Sequence, residues 1–199
     1  AKQITWSEIV VNGPGPIDQK LPIPAANYDY YRDICVLAYP LKPIDRKPIG
    51  HLEAKSGARE LGGSAPDCRF LLFDFPAVPG EQDALLEDIL DISPHLSSSG
   101  TLRWTVPEGQ WTVLRIGYTP TTAMVATSSD NWKGHVLDYL STEAFERYWQ
   151  QNIDPILEKA GPMAGTVLKQ LETDSWECGG MNWSPGFAEE FRNYCGYDP

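Results

Sequence analysis

Two patterns of apolar residues divide the chain. Up to about Tyr118, short runs of β-branched and aromatic residues alternate with clusters of proline and glycine, which is typical of strands joined by turns. From Ser141 onward, apolar residues recur at spacings of three and four, which is typical of amphipathic helices. The change predicts a β-rich, sandwich-like region at 1–118 and a helix–strand–helix region at 119–199.

Turn residues bound the predicted strands of the first region. Pro107 and Gly109 lie between the last two of these strands and predict a hairpin turn. Residues 83–92 are compatible with a short helix, but the alternation of strands and long loops around them favours strands. The neighbours Arg32 and Asp33 are predicted to form an ion pair at a strand edge. The predicted strands have the sequences YRDICVLAYP, RFLLFDFP, LRWTVP and WTVLRIGY.

Helix signals frame the second region. Ser141 is a suitable N-cap, Gly161 is a suitable C-terminal stop, and Pro155 predicts a kink between them. The segment TVLKQLETD then predicts a strand, and Ser184 with Pro185 predicts the start of a second helix that ends at Gly196. The first helix is predicted to bury a face formed by Phe145, Tyr148, Trp149, Ile153, Ile156 and Leu157, and the second to align Phe187, Phe191 and Tyr194.

A helix, a strand and another helix in succession predict part of a parallel α/β layer. In such layers, and in eight-stranded barrels above all, functional side chains collect in loops at the carboxyl ends of strands. The expected fold class is therefore α/β with a β-rich part: an incomplete segment of a (β/α)8 barrel together with a β-sandwich-like insertion.

Composition excludes several classes of partner. The formal net charge of −11 argues against a nucleic-acid partner and against attachment to an anionic membrane. No apolar run approaches the roughly 20 residues of a membrane-spanning helix, so we expect no membrane insertion. The first residues, AKQITWSEIV, lack the features of a signal peptide.

The metal-ligating residue types are scattered. The cysteines are predicted to be buried free thiols, although one or two disulfides stay open, and the histidines lack metal-ligand spacing. These residues are Cys35, Cys68, Cys178 and Cys195, and His51, His95 and His135.

Candidate chemistry is concentrated in DSWECGGMNW, residues 174–183. Glu177 is the leading candidate, because a carboxyl group at a strand end beside a tryptophan can serve as a general acid. It could equally cap the following helix. Asp174 could bind a sugar hydroxyl or a cation, or it could anchor the loop. Trp176 and Trp183 could stack against a sugar ring or fill the core.

Other residues could complete a sugar-binding pocket. Asn182 offers a donor and an acceptor suited to a vicinal diol. Gly179 and Gly180 allow backbone conformations that a pocket-forming loop often requires. Asp138 precedes the predicted N-cap and could lie at another strand end facing the same pocket. His135 could bind a sugar hydroxyl, but a lone histidine is more often structural.

Several of these motifs together resemble those of a known enzyme family. DSWECGGMNWSPGFAEEFRNYCGYDP, together with ITWSEIVVNGPG, YYRDICVLAYP, WTVLRIGYTPT and HVLDYLSTEAFERYW, resembles the α-L-rhamnosidases of glycoside hydrolase family 106. The likeness implies a large, secreted or periplasmic enzyme with a (β/α)8 barrel and β-sandwich domains. It also implies cleavage of terminal α-linked rhamnose with inversion, from a rhamnose-containing glycan or glycoside, and a calcium ion at the sugar.

The resemblance assigns roles by motif. Glu177 is implied to be the general acid, and the opposing carboxylate is implied to lie beyond Pro199. We therefore expect the 199-residue segment alone to be inactive and poorly soluble, which rhamnose release by the isolated polypeptide would contradict. The implied substrate-binding residues are Asp138, Asp174, Trp176, Asn182 and Trp183.

Two alternatives stay open beside the enzyme hypothesis. The chain could be a non-catalytic carbohydrate-binding β-sandwich, although such a module has no need of the α/β tail. It could also be an inactive relative, because GHVLDYLS departs from the family pattern at His135 and Val136.

Overall fold

The computed structural model describes residues 1–42, 49–57, 68–72, 75–82, 84–125, 131, 133–172 and 179–199. The chain forms two compact units, which we call the β unit (2–121) and the α unit (Ala1 with 122–199). The β unit contains β1 (Lys2–Lys20), β2 (Arg32–Pro40), α1 (Leu52–Lys55), β3 (Leu90–Asp91) and β4 (Thr101–Pro120), and the α unit contains α2 (Thr142–Tyr148), α3 (Asp154–Ala160) and α4 (Phe187–Cys195).

An antiparallel sheet in the order β1-β4-β2-β3 forms the β unit. Its hydrophobic core lies on one face of this sheet, where alternate residues of the strands point inward. Trp104 and Trp111 meet edge to face in the core, with ring centroids 5.8 Å apart. The other core residues are Val11, Leu21, Val36, Ala38, Ile92, Leu102, Val106 and Val113.

The hairpin predicted at Pro107 and Gly109 is wrong. Both residues lie inside β4, which pairs with β1 along almost its whole length. The register shifts there, so that Gly13 pairs with Gly109 and Gly15 with Val106. Because β4 stays paired with β1 on both sides of Pro107, the irregularity is a bulge in a continuous strand rather than a chain reversal, and a bulge tolerates a proline that has no N–H to donate.

A second irregularity lies in β2, between Asp33 and Cys35. Side chains of a regular strand alternate between faces, so Asp33 and Val36 would point to opposite sides. The extra residue at the bulge lets both face the core side, where Asp33 pairs with Gly117 and Val36 with Arg115 in register.

The guanidinium of Arg115 is buried beside the sheet and makes several charged hydrogen bonds. Its Nε and Nη2 donate to the two carboxylate oxygens of Asp33 at 2.7 and 2.9 Å, and its Nη1 donates to the carbonyl of Leu21 at 3.3 Å. The Tyr31 hydroxyl donates to Asp33 at 2.8 Å. Burial alone would raise the pKa of Asp33, but the bonds from Arg115 and Tyr31 outweigh it and hold that pKa below its usual value.

The predicted ion pair between Arg32 and Asp33 is therefore wrong. Adjacent residues of an extended strand project to opposite faces, and Asp33 takes its partner from β4. Arg32 instead lies over the ring of Tyr30, with its guanidinium carbon 4.6 Å from the ring centroid.

Two more predicted strands of the β unit differ from the structure. The residues Cys68–Leu72, which overlap the start of RFLLFDFP, form a 3-10 helix. In the segment 83–92, Leu86–Asp88 is a 3-10 turn, and only Leu90–Asp91 pairs with β2 as a short strand. Both segments are rich in leucine, which fits a helical turn as readily as a strand.

The first predicted helix of the α unit is confirmed. The Ser141 hydroxyl caps it by accepting from the N–H of Ala144, and Gly161 follows α3 with a φ of 50°. Pro155 has the expected effect, because proline lacks an N–H and clashes with the preceding turn. The chain accommodates it with a π-helical turn, Trp149–Ile153, between α2 and α3.

The predicted burial of the apolar face of this helix is wrong for this chain. Phe145, Tyr148 and Ile156 are each about half exposed, at 50%, 45% and 52%. The described residues of α2, the π turn and α3 include none that is fully buried.

The strand predicted at TVLKQLETD is absent from its described part, residues 166–172. Thr166–Leu168 forms a turn, in which three successive amides donate to the carbonyl of Met163. The described residues of the α unit therefore contain isolated bridges rather than a parallel layer.

The last helix starts later than predicted. α4 begins after its N-cap, Gly186, whose φ is 84°, while the Ser184 hydroxyl donates to Asp138. Its predicted end at Gly196 is confirmed. Tyr194 is 87% exposed and does not share the half-buried side of Phe187 and Phe191.

The predicted burial of the cysteines is also wrong. Cys35, Cys68 and Cys195 are free thiols as predicted, but Cys68 and Cys195 are exposed and Cys35 is only partly buried. Cys178 lies outside the described residues. Within the described ranges, no helix is both long enough and apolar enough to cross a bilayer.

The Arg115–Asp33 pair generates a prediction about stability. Replacing Arg115 with Met leaves the Asp33 carboxylate partly buried without its cation, so we expect the β unit to lose about 2–3 kcal/mol. Hydrogen exchange of the β2 and β4 amides measures this loss. The control is Arg103→Met, whose ion pair with Asp18 is exposed, with an expected cost of about 0.5 kcal/mol or less.

The Arg115–Asp33 pair also determines the direction in which the stability of the β unit changes with pH. Because the folded-state pKa of Asp33 is lowered, the pair stabilises the fold above the unfolded pKa of about 4, and this stability is lost as the pH falls through the folded pKa. The Arg115→Met variant should lack this part of the acid sensitivity. Equal costs for the two arginine variants would contradict the assignment.

Candidate functional site

Three of the six predicted site residues lie outside the described residues: Asp174, Trp176 and Glu177. The other three, Asp138, Asn182 and Trp183, belong to the α unit. They lie in two segments, one before α2 and one before α4.

A short antiparallel contact leads into the first segment. Val136 donates its N–H to the carbonyl of Ala123 at 3.1 Å, and Val125 donates to Gly134 at 2.9 Å. Val136 is buried, with 5% of its surface exposed. The contact fixes the backbone two residues before Asp138.

Asp138 is a buried carboxylate at the start of the turn that precedes α2. One side-chain oxygen accepts from the N–H of Leu140 at 3.3 Å, and the backbone carbonyl accepts from Ser141 at 3.1 Å. The other side-chain oxygen accepts from the Ser184 hydroxyl at 3.2 Å. Asp138 therefore joins the turn before α2 to the segment before α4.

Gly179 begins the second described segment. Its φ is 71°, and a Cβ at this position would lie 2.9 Å from the Cβ of Ala123. Both the left-handed backbone and the close approach favour glycine. The segment that carries Asn182 is thus held against the same contact that leads to Asp138.

The Trp183 side chain packs against neighbouring rings and does not extend into solvent. It is 8% exposed, and its ring centroid lies 5.3 Å from that of Phe187. Phe187, Phe191 and Tyr197 continue the row at 5.9 and 5.2 Å. Packing is one of the two roles open to this residue from the sequence, and a substrate-binding role stays a prediction. Asn182, just before it, is half-buried.

Ser184 is the site residue that sequence reasoning missed. It is 1% exposed and donates to Asp138, 46 positions earlier in the chain, instead of capping α4. The N-cap of α4 is Gly186, and no local pattern in the sequence indicates a bond that spans 46 positions.

The arrangement can do two things chemically. The Asp138–Ser184 bond holds the segment that follows residues 173–178 to the turn before α2. A buried carboxylate also offers acceptor capacity to a sugar hydroxyl. His135, by contrast, is exposed and forms a bridge with Met124.

The described part of the chain lacks the ligands that calcium needs. Calcium takes six to eight oxygen ligands, usually including several carboxylates. No group of three Asp, Glu, His or Cys side chains with metal-binding geometry occurs in the described part of the chain. These residues by themselves do not fit a calcium site.

The Asp138–Ser184 bond generates a prediction. Removing the hydroxyl with Ser184→Ala leaves a buried carboxylate oxygen without that donor, so the α4 segment should lose about 1 kcal/mol. Hydrogen exchange of the α4 amides measures the loss. Ser99→Ala, at an exposed turn, is the matched control and should have little effect. Unchanged α4 exchange in Ser184→Ala would contradict a joining role.

Comparison with known proteins gives two relatives. A protein of Formosa agariphila named "Putative beta-glucuronidase" is 37% identical over 194 residues, which are 98% of this chain and 16% of that protein. A rhamnosidase from Novosphingobium sp. PP1Y shares the fold with a TM-score of 0.71 at 20% identity, over 99% of this chain and 31% of that one. The chain thus spans about a sixth of the curated relative.

A family model described as alpha-L-rhamnosidase matches residues 74–199. The match covers more than half of the chain and includes all six predicted site residues. The chain belongs to the α-L-rhamnosidase family, glycoside hydrolase family 106.

Proposed function

We propose that the protein containing this chain is a glycoside hydrolase that removes terminal α-L-rhamnose from a glycan or glycoside. The single observation that carries the proposal is the family match over 74–199, because this range holds every candidate site residue. The shared fold with a rhamnosidase supports it. The buried Asp138–Ser184 bond supports it further, because it joins the candidate Asp138 to the segment that follows Glu177 in the chain.

The proposed mechanism is inversion with Glu177 as the general acid. In this mechanism one carboxylic acid protonates the glycosidic oxygen as the bond to the sugar breaks, and a second carboxylate deprotonates the attacking water on the opposite face. We propose Glu177 for the first role. Asp138, Asp174 and Asn182 are proposed to bind sugar hydroxyls.

Trp176 and Trp183 are proposed to shape the sugar pocket. An indole can stack on the C–H face of a sugar, or it can pack beneath the pocket and keep water away from the acid. Trp183 is suited to the second role, because it is almost fully buried against Phe187.

We also propose that the whole protein contains a (β/α)8 barrel. In a (β/α)8 barrel, catalytic groups project from the carboxyl ends of several strands, which would bring carboxylates from distant segments together. A structure of the whole protein tests this architecture.

A second substrate class is favoured by one observation. The relative from Formosa agariphila is 37% identical and is named as a β-glucuronidase. A β-glucuronide, unlike an α-L-rhamnoside, carries a carboxylate, which normally requires a cationic partner in the pocket. The two substrate classes are distinguished by measuring the turnover of an aryl α-L-rhamnoside and of an aryl β-glucuronide by the whole protein.

Glu177→Gln in the whole protein tests the catalytic assignment. The amide keeps the shape of the side chain but cannot donate the acid proton, so kcat should fall by about 10²–10⁴ while substrate binding changes little. The loss should be smaller for an aryl glycoside with a strongly acidic leaving group, which needs less protonation. Glu172→Gln, an exposed neighbour, is the control. Near-normal turnover of an alkyl glycoside would falsify the assignment.

Calcium dependence is proposed from the resemblance alone. The described residues do not provide a cluster for the ion, so no step above depends on it. If calcium holds the sugar, chelation of the whole protein should remove most of the activity and added calcium should restore it. Full activity after chelation would exclude this role.

We also propose that the protein works outside the cytoplasm, because polymeric glycans do not cross membranes. Fractionation of the producing cell tests this location, and recovery of the protein in the cytoplasm would contradict it.

A further inference from the structure

A strained turn lies between β1 and β2 in the β unit. Tyr28 and Asp29 both have left-handed backbone, with φ of 57° and 52°. Tyr30 donates its N–H to the carbonyl of Asn27 at 3.1 Å and closes the turn around them. Turns with two left-handed residues normally use Asn and Gly, because a Cβ is unfavourable in this conformation.

Asn27 fixes this turn to the end of β4. Its N–H donates to the Thr119 hydroxyl at 2.7 Å, and its side-chain amide donates to the carbonyl of Pro120 at 2.9 Å. Thr119 is buried, with 1% exposed. The turn is therefore rigid despite its strain, and strain that persists in a rigid setting points to function.

The turn presents an aromatic surface. Tyr28 is 57% exposed. Two residues on, the ring of Tyr30 lies between Tyr118, at 6.4 Å between centroids, and the guanidinium of Arg32, at 4.6 Å. Exposed, rigid aromatic rings suit the C–H faces of sugars, because they contribute area at little entropic cost.

Arg32 is the cation of this surface. It is exposed and donates to the carbonyl of Tyr31 at 2.8 Å, which orients its guanidinium. No described carboxylate pairs with it, because Arg115 and Tyr31 occupy Asp33. The charged group of the opposite sign on the same turn is Asp29, which is exposed and does not contact Arg32.

We propose that Asn27–Arg32, the tyrosine turn, is a binding platform for an acidic sugar residue. Tyr28 stacks on the sugar ring, and Arg32 binds its carboxylate or sulfate group. A planar guanidinium can bond two oxygens of either anion at once. The net charge of −11 disfavours a nucleic-acid polyanion, whose many phosphates need a basic surface. The proposal adds a binding site to the proposed function and does not depend on which glycosidic bond is cleaved.

Isothermal titration of the whole protein tests the site. The probes are an alginate hexasaccharide for carboxylate, a carrageenan hexasaccharide for sulfate, and cellohexaose as the neutral control. We expect at least one acidic probe to bind more tightly than cellohexaose, with affinity that falls as salt is raised. Tyr28→Ala and Arg32→Ala should each weaken that probe by about tenfold. Tyr194→Ala and Arg147→Ala, at exposed positions of α4 and α2, are matched controls and should leave it unchanged.

Two glycine variants separate binding from folding. Tyr28→Gly relieves the left-handed strain, so the protein should melt no earlier than the parent, yet binding should be lost. Asp29→Gly relieves the same strain and removes a like charge, so binding should be kept or strengthened.

Several results would overturn the proposal: no binding of either acidic probe, equal affinity for cellohexaose, unchanged binding by Tyr28→Ala, or equal losses in the Tyr194→Ala control. Binding of one acidic probe alone identifies the anion as carboxylate or sulfate and supports the proposal.

Discussion

Arg115 brings a positive charge into the core side of a four-stranded sheet, and much of the β unit is arranged to satisfy it. Asp33 binds the guanidinium with both oxygens, and Leu21 contributes a carbonyl. The bulge in β2 points Asp33 to the correct face. Gly117 leaves space for Tyr31, since a Cβ there would lie 2.4 Å from its ring. Without these partners the buried guanidinium would strongly destabilise the fold.

In the α unit, too, a buried charged group is held by polar partners. The buried carboxylate of Asp138 is held by a backbone N–H and by the Ser184 hydroxyl. A row of aromatic rings from Trp183 to Tyr197 supports the segment beside it. Together these contacts fix the described segment that follows Glu177 in the chain.

The two proposals assign different roles in glycan binding and cleavage to the two units. The α unit carries the residues proposed for bond cleavage, whereas the β unit carries an exposed tyrosine turn whose Arg32 pairs with no carboxylate among the described residues. The chain belongs to a glycoside hydrolase family, but membership does not fix the sugar, because the two relatives carry the names of different glycosidases. Substrate choice depends on a few pocket contacts that the fold alone does not determine.

Local signals in the sequence were enough for β2, for most of β4, for the helix between Ser141 and Gly161 with its break at Pro155, and for the family itself. They failed for β1, whose Gly13–Pro16 stretch is typical of a turn, and for the strand predicted after Thr166. Only the tertiary structure paired Asp33 with Arg115, 82 positions away, and Asp138 with Ser184, 46 positions away. Caps, kinks and strand propensity act over a few residues, so they are written in the sequence, whereas the partner of a buried charge depends on which distant segments the fold brings together.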